Sequence, residues 1–165
     1  DNFRHILFTL PPVFLLAGAA FERISNARVR AAVIAACLLP GVIGIASLHP
    51  YEYAYYNQFI SGMKGALGRF ELEYWLTSYR EAAEYVNENA SPYAAIWVQG
   101  PGHLFTPYAR PDLIVNSWSG YQPVDAYEFA VVSYRFDDGD TSYPNAEIVH
   151  KIMRGDAVLT VIKKP

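Results

Sequence analysis

Two long apolar segments dominate the first third of the chain, whereas the rest alternates between short apolar runs and polar turns. Residues 6–21 and 31–48 contain no charged side chain. As a helix, the second segment would be about 27 Å long, close to the thickness of the hydrocarbon layer of a bilayer. The pattern predicts two transmembrane helices, over about residues 5–22 and 30–48. The alternative, two buried helices of a soluble protein, would need more surrounding chain than residues 49–165 supply.

The charges between and after these segments predict an orientation. Arg23, Arg28 and Arg30 lie in the short loop of residues 22–30, which the positive-inside rule assigns to the cytoplasm. Everything after residue 48 then lies on the outer face. That outer part has a net charge of −5, against +2 for residues 1–48. It therefore has no electrostatic reason to bind nucleic acid.

The outer part divides into a juxtamembrane segment, residues 49–72, and a domain, residues 73–165. The tyrosine-rich start of the juxtamembrane segment is typical of an aromatic belt at the membrane surface. Helical spacing and a Ser78–Glu81 capping box predict a helix over about residues 74–89. Apolar runs predict strands at 94–98, 113–116, 129–134, 147–153 and 157–163, the last two joined as a hairpin at Arg154-Gly155-Asp156. One main helix with about five strands predicts a small α/β (α+β) extracytoplasmic domain after the two transmembrane helices.

Several local sequences point to a family. Phe3-Arg4-His5 leads into Leu10-Pro11-Pro12 and the first apolar segment. The second apolar segment is followed by His49-Pro50-Tyr51-Glu52, Tyr55-Tyr56-Asn57, Gly62, Gly65-Ala66, Tyr74-Trp75 and Tyr79-Arg80-Glu81-Ala82. In these features, residues 3–90 resemble the C-terminal end of bacterial glycosyltransferase family 39-type membrane proteins, relatives of the protein mannosyltransferases.

The resemblance implies an integral enzyme of the bacterial cytoplasmic membrane. Such an enzyme transfers a hexose from a polyprenyl-phosphate donor to a glycan or protein acceptor on the outer face. Its catalytic acid belongs to the first outer loop, which has no counterpart here, so no catalytic residue is carried over. We therefore expect a C-terminal fragment that is inactive alone and is completed by the remaining transmembrane helices, with membrane lipid around it and no cofactor of its own.

Two groups of residues are candidates for binding. Arg4 and His5 stand before the first apolar segment, where a guanidinium suits the phosphate of a lipid donor, although an interfacial anchor explains them equally well. His49, Tyr51, Tyr56 and Asn57 follow the second segment and are candidates to line an acceptor groove, because aromatic faces stack on sugars. The aromatic belt is the competing interpretation.

No residue pattern predicts a metal site. Asp138-Gly139-Asp140 echoes the aspartate pair that holds a divalent metal in soluble nucleotide-sugar transferases, but its surroundings favour a solvated turn. The four histidines show no ligand spacing. The alternative function is a non-enzymatic, membrane-anchored interaction or glycan-binding domain, with the tyrosines and residues 118–121 as its surface.

Overall fold

The computed structural model describes residues 3–118, 127–135 and 141–165, with the side chains of residues 3–5 and of Trp118 outside that description. The chain forms two compact units, Asp1–Ser47 and Leu48–Pro165.

The first unit is helical. A 3-10 helix, Phe3–Thr9, leads into α1, Leu10–Glu22, and a short turn precedes α2, Ala27–Ser47. Pro11 and Pro12 lie in the first turn of α1, where a missing N–H leaves no helical bond unmade. Asn26 starts α2, because its side-chain oxygen accepts hydrogen bonds from the backbone N–H groups of Arg28 and Val29, at 3.0 and 3.3 Å.

The prediction of two transmembrane helices is wrong. Among the residues that the structure describes, α2 alone is long and apolar enough to span a bilayer; it has 21 residues, and its most apolar window has a mean hydropathy of 2.1. The α-helical part of the first apolar segment has only 13 residues. That is about 20 Å of helix, against the roughly 30 Å of a hydrocarbon layer. The prolines explain the difference, because they start the α-helix at Leu10, whereas the apolar pattern extends it to about residue 5.

The second unit is built on a five-stranded mixed sheet. Its strands are β1 Ala95–Gln99, β2 Ile114–Trp118, β3 Phe129–Ser133, β4 Glu147–Arg154 and β5 Ala157–Lys164. Their spatial order is β2-β1-β3-β5-β4; β1 is parallel to β2 and β3, whereas β5 is antiparallel to β3 and β4. The apolar runs locate all five strands to within two residues. The β4–β5 hairpin also forms as predicted, with Gly155 in the left-handed conformation of its turn.

One amphipathic helix, α4, Tyr79–Asn89, packs on this sheet. Its buried positions are Tyr79, Ala82, Ala83 and Val86, which repeat at helical spacing. They share a core with strand residues such as Ile96, Val98, Phe129, Val131 and Ile162. The opposite side of α4 carries Arg80, Glu81 and Glu84 and lies outside this core.

Helix α4 begins five residues later than predicted. Leu76 adopts a left-handed conformation, with φ of 53°, which interrupts any helix through residues 74–78. The predicted capping box does not form, because the Ser78 hydroxyl is hydrogen-bonded to that of Thr160 at 2.8 Å instead. At the start of α4 the buried carboxylate of Glu73 replaces the predicted cap. It accepts hydrogen bonds from the Ser78 N–H and the Tyr53 hydroxyl, each at 3.0 Å.

The predicted juxtamembrane segment folds into the domain. It contains 3-10 helices at Glu52–Ala54 and Gln58–Ile60 and a short helix α3, Gly62–Ala66. A second buried cluster joins this segment to β5, and it consists of Leu48, Tyr51, Ala54, Met63, Ala66, Leu72, Ala157 and Leu159. Tyr51, which is 1% exposed, is therefore a core residue, and the aromatic-belt interpretation is wrong for it.

Candidate functional site

A cleft of about 500 Å³ opens on the second unit beside α4. Three stretches of chain supply its walls: the start of the unit, the turn that precedes α4 together with the first turns of α4, and the connection between β1 and β2. The lining residues are Pro50, Tyr51, Trp75, Leu76, Thr77, Arg80, Glu81, Glu84, Leu104 and Tyr108.

Local sequence places these residues around one opening. Arg80, Glu81 and Glu84 fall on the same side of α4, because residues three and four apart are neighbours on a helix. The left-handed turn at Leu76 brings Trp75 and Thr77 to the start of that helix. Leu104 and Tyr108 close two consecutive 3-10 helices, Gly102–Leu104 and Thr106–Tyr108.

Ion pairs fix the charged wall of the cleft. The Arg80 guanidinium contacts the Glu84 carboxylate at 3.1 Å, an i,i+4 pair along α4. Glu81 pairs with Arg154, which comes from the β4–β5 hairpin. The Arg154 guanidinium also lies 4.0 Å from the centre of the Tyr51 ring. The Glu81 carboxylate is therefore oriented before any ligand arrives, whereas Arg80 and Glu84 form an exposed pair.

Tyr51 forms the floor of the cleft as a neutral phenol. Burial raises its pKa well above the ordinary value, and a hydrogen bond to the Glu81 carboxylate raises it further. Its hydroxyl therefore remains a donor at every physiological pH. Tyr51 and Arg154 together orient the Glu81 carboxylate.

Two exposed aromatic side chains complete the site. Trp75 is 66% exposed and Tyr108 is 49% exposed, although both line the cleft. The Trp75 ring meets Tyr74 edge to face at 5.0 Å, and the Arg80 guanidinium lies 6.0 Å from the centre of the Tyr108 ring. Open aromatic faces beside fixed charged hydrogen-bonding groups suit a ligand with both apolar faces and hydroxyls, as a sugar ring has.

The predicted acceptor residues do not form one group. Tyr51 alone lines the cleft. His49 is exposed and contacts Glu52 through Nδ1 at 2.5 Å. The Tyr56 hydroxyl donates to the Glu71 carbonyl at 3.0 Å, and the Asn57 side chain accepts from the Phe59 N–H at 3.1 Å, so both support local structure.

Other residues that the sequence singles out lie outside the part of the chain that the structure describes. The side chains of Arg4 and His5 are not described, and their assignment to the outer face depended on the first predicted span. Asp138-Gly139-Asp140 and most of residues 118–121 also lie outside the described residues. Within the described ranges, no group of three or more histidine, cysteine, aspartate or glutamate side chains is placed to hold a metal ion.

Sequence reasoning missed most of the cleft. The sequence places Trp75 within the helix predicted over residues 74–89 and predicts Glu81 as the acid of a capping box. The signal that was available is the Arg80–Glu84 pair at i,i+4 spacing, which marks an exposed helix face. Comparison with protein-family models, with curated proteins and with solved structures finds no match to this chain.

Proposed function

We propose that this chain is part of a bacterial membrane glycosyltransferase that transfers a sugar from a polyprenyl-phosphate donor to an acceptor on the outer face. In this proposal α2 attaches the protein to the membrane, and the unit Leu48–Pro165 binds the acceptor glycan in its cleft. The catalytic acid is assigned to another part of that enzyme and to no residue of the cleft.

Helix α2 supports the membrane part of the proposal. It is uncharged from Ala31 to Ser47, and none of its residues is buried. Arg28 and Arg30 lie in its first turn, so the positive-inside rule assigns its N-terminal end to the cytoplasm. The domain that follows its C-terminal end is then extracytoplasmic, where lipid-linked sugars are used.

The cleft is the observation that carries the acceptor part. Trp75 and Tyr108 offer exposed rings for stacking on a pyranose, and Arg80 and Glu84 offer donors and acceptors for its hydroxyls. The resemblance of residues 49–82 to the family 39-type enzymes supports the same assignment, because Tyr51, Trp75 and Arg80 belong both to those motifs and to the cleft.

The ion pairs favour a second candidate function, a glycan-binding domain that catalyses nothing. Glu81 is held by Arg154 and Glu84 by Arg80. A carboxylate that already accepts a hydrogen bond from a guanidinium is oriented for recognition, and such polar groups fix the orientation of a bound ligand.

Sugar transfer from a polyprenyl-phosphate hexose to an oligosaccharide, in membranes that contain the complete enzyme of which this chain is proposed to be a part, tests the proposal. Trp75→Ala should raise the KM for the acceptor about tenfold through lost ring stacking and leave the KM for the donor unchanged. The matched control is Tyr93→Asn, which removes an exposed ring outside the cleft at a φ of 60° that asparagine tolerates. Glycan binding without any transfer would favour the second candidate, whereas equal acceptor KM values in both variants would refute the role of the cleft.

A further inference from the structure

The segment of residues 56–70 presents an unusual surface for an acidic domain. Phe59 is fully exposed, and Phe70 is 48% exposed. Between Glu52 and Glu71 the only charged residues are Lys64 and Arg69, both cationic, whereas residues 49–165 have a net charge of −5. We call this segment the aromatic loop.

The aromatic loop is held rigidly from its inner side. Met63 and Ala66 are buried in the cluster that includes β5. The Tyr56 ring stacks on Phe70 at 5.6 Å, and the Arg69 guanidinium lies 5.7 Å from the centre of the same ring. Its exposed rings therefore project from a folded support and cannot be buried by local collapse. Lys64 lies 3.8 Å from the Asp156 carboxylate, but both side chains are exposed, and such a surface pair is weak enough for Lys64 to exchange its partner for a lipid phosphate.

Water is a poor environment for such a surface, and the interface of an anionic bilayer is a good one. An aromatic ring gains free energy among lipid headgroups, and nearby lysine and arginine side chains are attracted to acidic lipids. The loop follows α2, the helix that is apolar enough to span a bilayer, within the same chain.

We propose that the aromatic loop docks on the outer surface of an anionic bilayer, with Phe59 inserted among the headgroups and Lys64 and Arg69 on acidic lipids. Docking would give the domain a second attachment besides α2 and fix its orientation to the membrane. The inference rests on the membrane attachment in the proposed function.

Site-specific fluorescence on the whole chain in phosphatidylglycerol-containing vesicles tests this docking. An environment-sensitive probe is placed at Gln58→Cys in a Cys37→Ala background, which leaves Phe59 intact, and lipid-borne nitroxides quench it. The matched control carries the probe at Glu88→Cys, an exposed position of α4. We expect quenching at position 58 at least about threefold stronger than at position 88, since the docked loop lies within the headgroup layer.

Substitutions then separate the contribution of the Phe59 ring to docking from the contributions of Lys64 and Arg69. Phe59→Ala should lower the docked-to-undocked ratio about tenfold, and replacing Lys64 and Arg69 by alanine should lower it about fivefold for each cation on anionic vesicles. Equal quenching at positions 58 and 88, or no effect of Phe59→Ala, would overturn the inference and leave another protein surface as the occupant of the loop.

A probe on the native Cys37 distinguishes this failure from failure of the proposed function. Cys37 lies in α2 and is exposed on it. Quenching at Cys37 without quenching at position 58 would refute loop docking alone. A Cys37 probe that remains in water would refute membrane attachment by α2, and the probe at position 58 would then decide loop docking by itself on the same vesicles.

Discussion

Replacing Glu73 should destabilise the domain and change how its stability depends on pH. The carboxylate is fully buried and accepts hydrogen bonds from the Ser78 N–H and the Tyr53 hydroxyl. Glu73→Ala leaves the buried Ser78 N–H without its acceptor, which costs about 1–3 kcal/mol. It also empties the space of the side chain. We therefore expect the free energy of unfolding to fall by about 2–4 kcal/mol in total.

Glu73→Gln separates the hydrogen bonds from the charge. Its amide oxygen can still accept from Ser78, and the Tyr53 hydroxyl can turn to accept from the amide nitrogen. Burial raises the pKa of Glu73 in the folded domain, so at a given pH the group is protonated to a larger extent in the folded than in the unfolded chain. When the pKa of an acid is higher in the folded than in the unfolded state, its stabilising contribution is complete at any pH below the unfolded-state pKa. That contribution is lost as the pH rises through the folded-state pKa.

Urea unfolding followed by tryptophan fluorescence measures both effects. The free energy of unfolding of the wild type should fall relative to that of Glu73→Gln as pH rises from about 4 towards 7. A difference that stays constant over this range, or an alanine variant as stable as the wild type, would refute the assignment of Glu73 as the buried cap of the turn before α4.

Three further predictions concern other contacts. Arg154→Ala removes the partner of Glu81 and should lower the free energy of unfolding by about 1–3 kcal/mol. Arg80→Ala breaks an exposed pair and should change the free energy of unfolding by less than about 1 kcal/mol. Equal losses in urea unfolding would refute the stronger role of the Glu81–Arg154 pair. Gly65→Ala places a Cβ 1.7 Å from the Ile60 carbonyl oxygen and should cost at least about 2 kcal/mol, seen as a lower Tm; an unchanged Tm would refute that close approach. Finally, the chain should stay in the membrane pellet after carbonate extraction because of α2, and release into the supernatant would refute the attachment.

Local patterns were sufficient to locate the five strands and the β4–β5 hairpin, although not their order in the sheet. Each strand is a short apolar run bounded by turn residues, and the β4–β5 turn contains a glycine that reaches positive φ freely. The four buried positions of α4 likewise follow helical spacing. These features depend on residues close together in the chain, which explains why the sequence identifies them.

The remaining features depend on residues far apart in the chain. The true start of α4 is set by Glu73, a buried acid that a pattern of apolar positions treats as surface. The first apolar segment looked long enough to span a membrane, because hydropathy does not register where prolines start an α-helix. Tyr51 looked like a membrane-interface residue until the fold buried it against β5.

The cleft is the clearest example of a feature that depends on residues far apart in the chain. Arg154 and Glu81 are 73 residues apart in sequence, and the two exposed rings come from different connections. Each of these residues has an ordinary explanation when considered alone. Only the packing of α4 on the sheet brings them around one opening.

Equilibrium binding of oligosaccharides to the whole chain in detergent or nanodiscs, measured by calorimetry, shows whether the cleft binds glycans. We expect saturable binding that is weakened about tenfold by Trp75→Ala or Tyr108→Ala and left unchanged by Tyr93→Asn. An absence of binding across neutral and charged glycans, or binding that is equal in Trp75→Ala and Tyr93→Asn, would contradict this expectation.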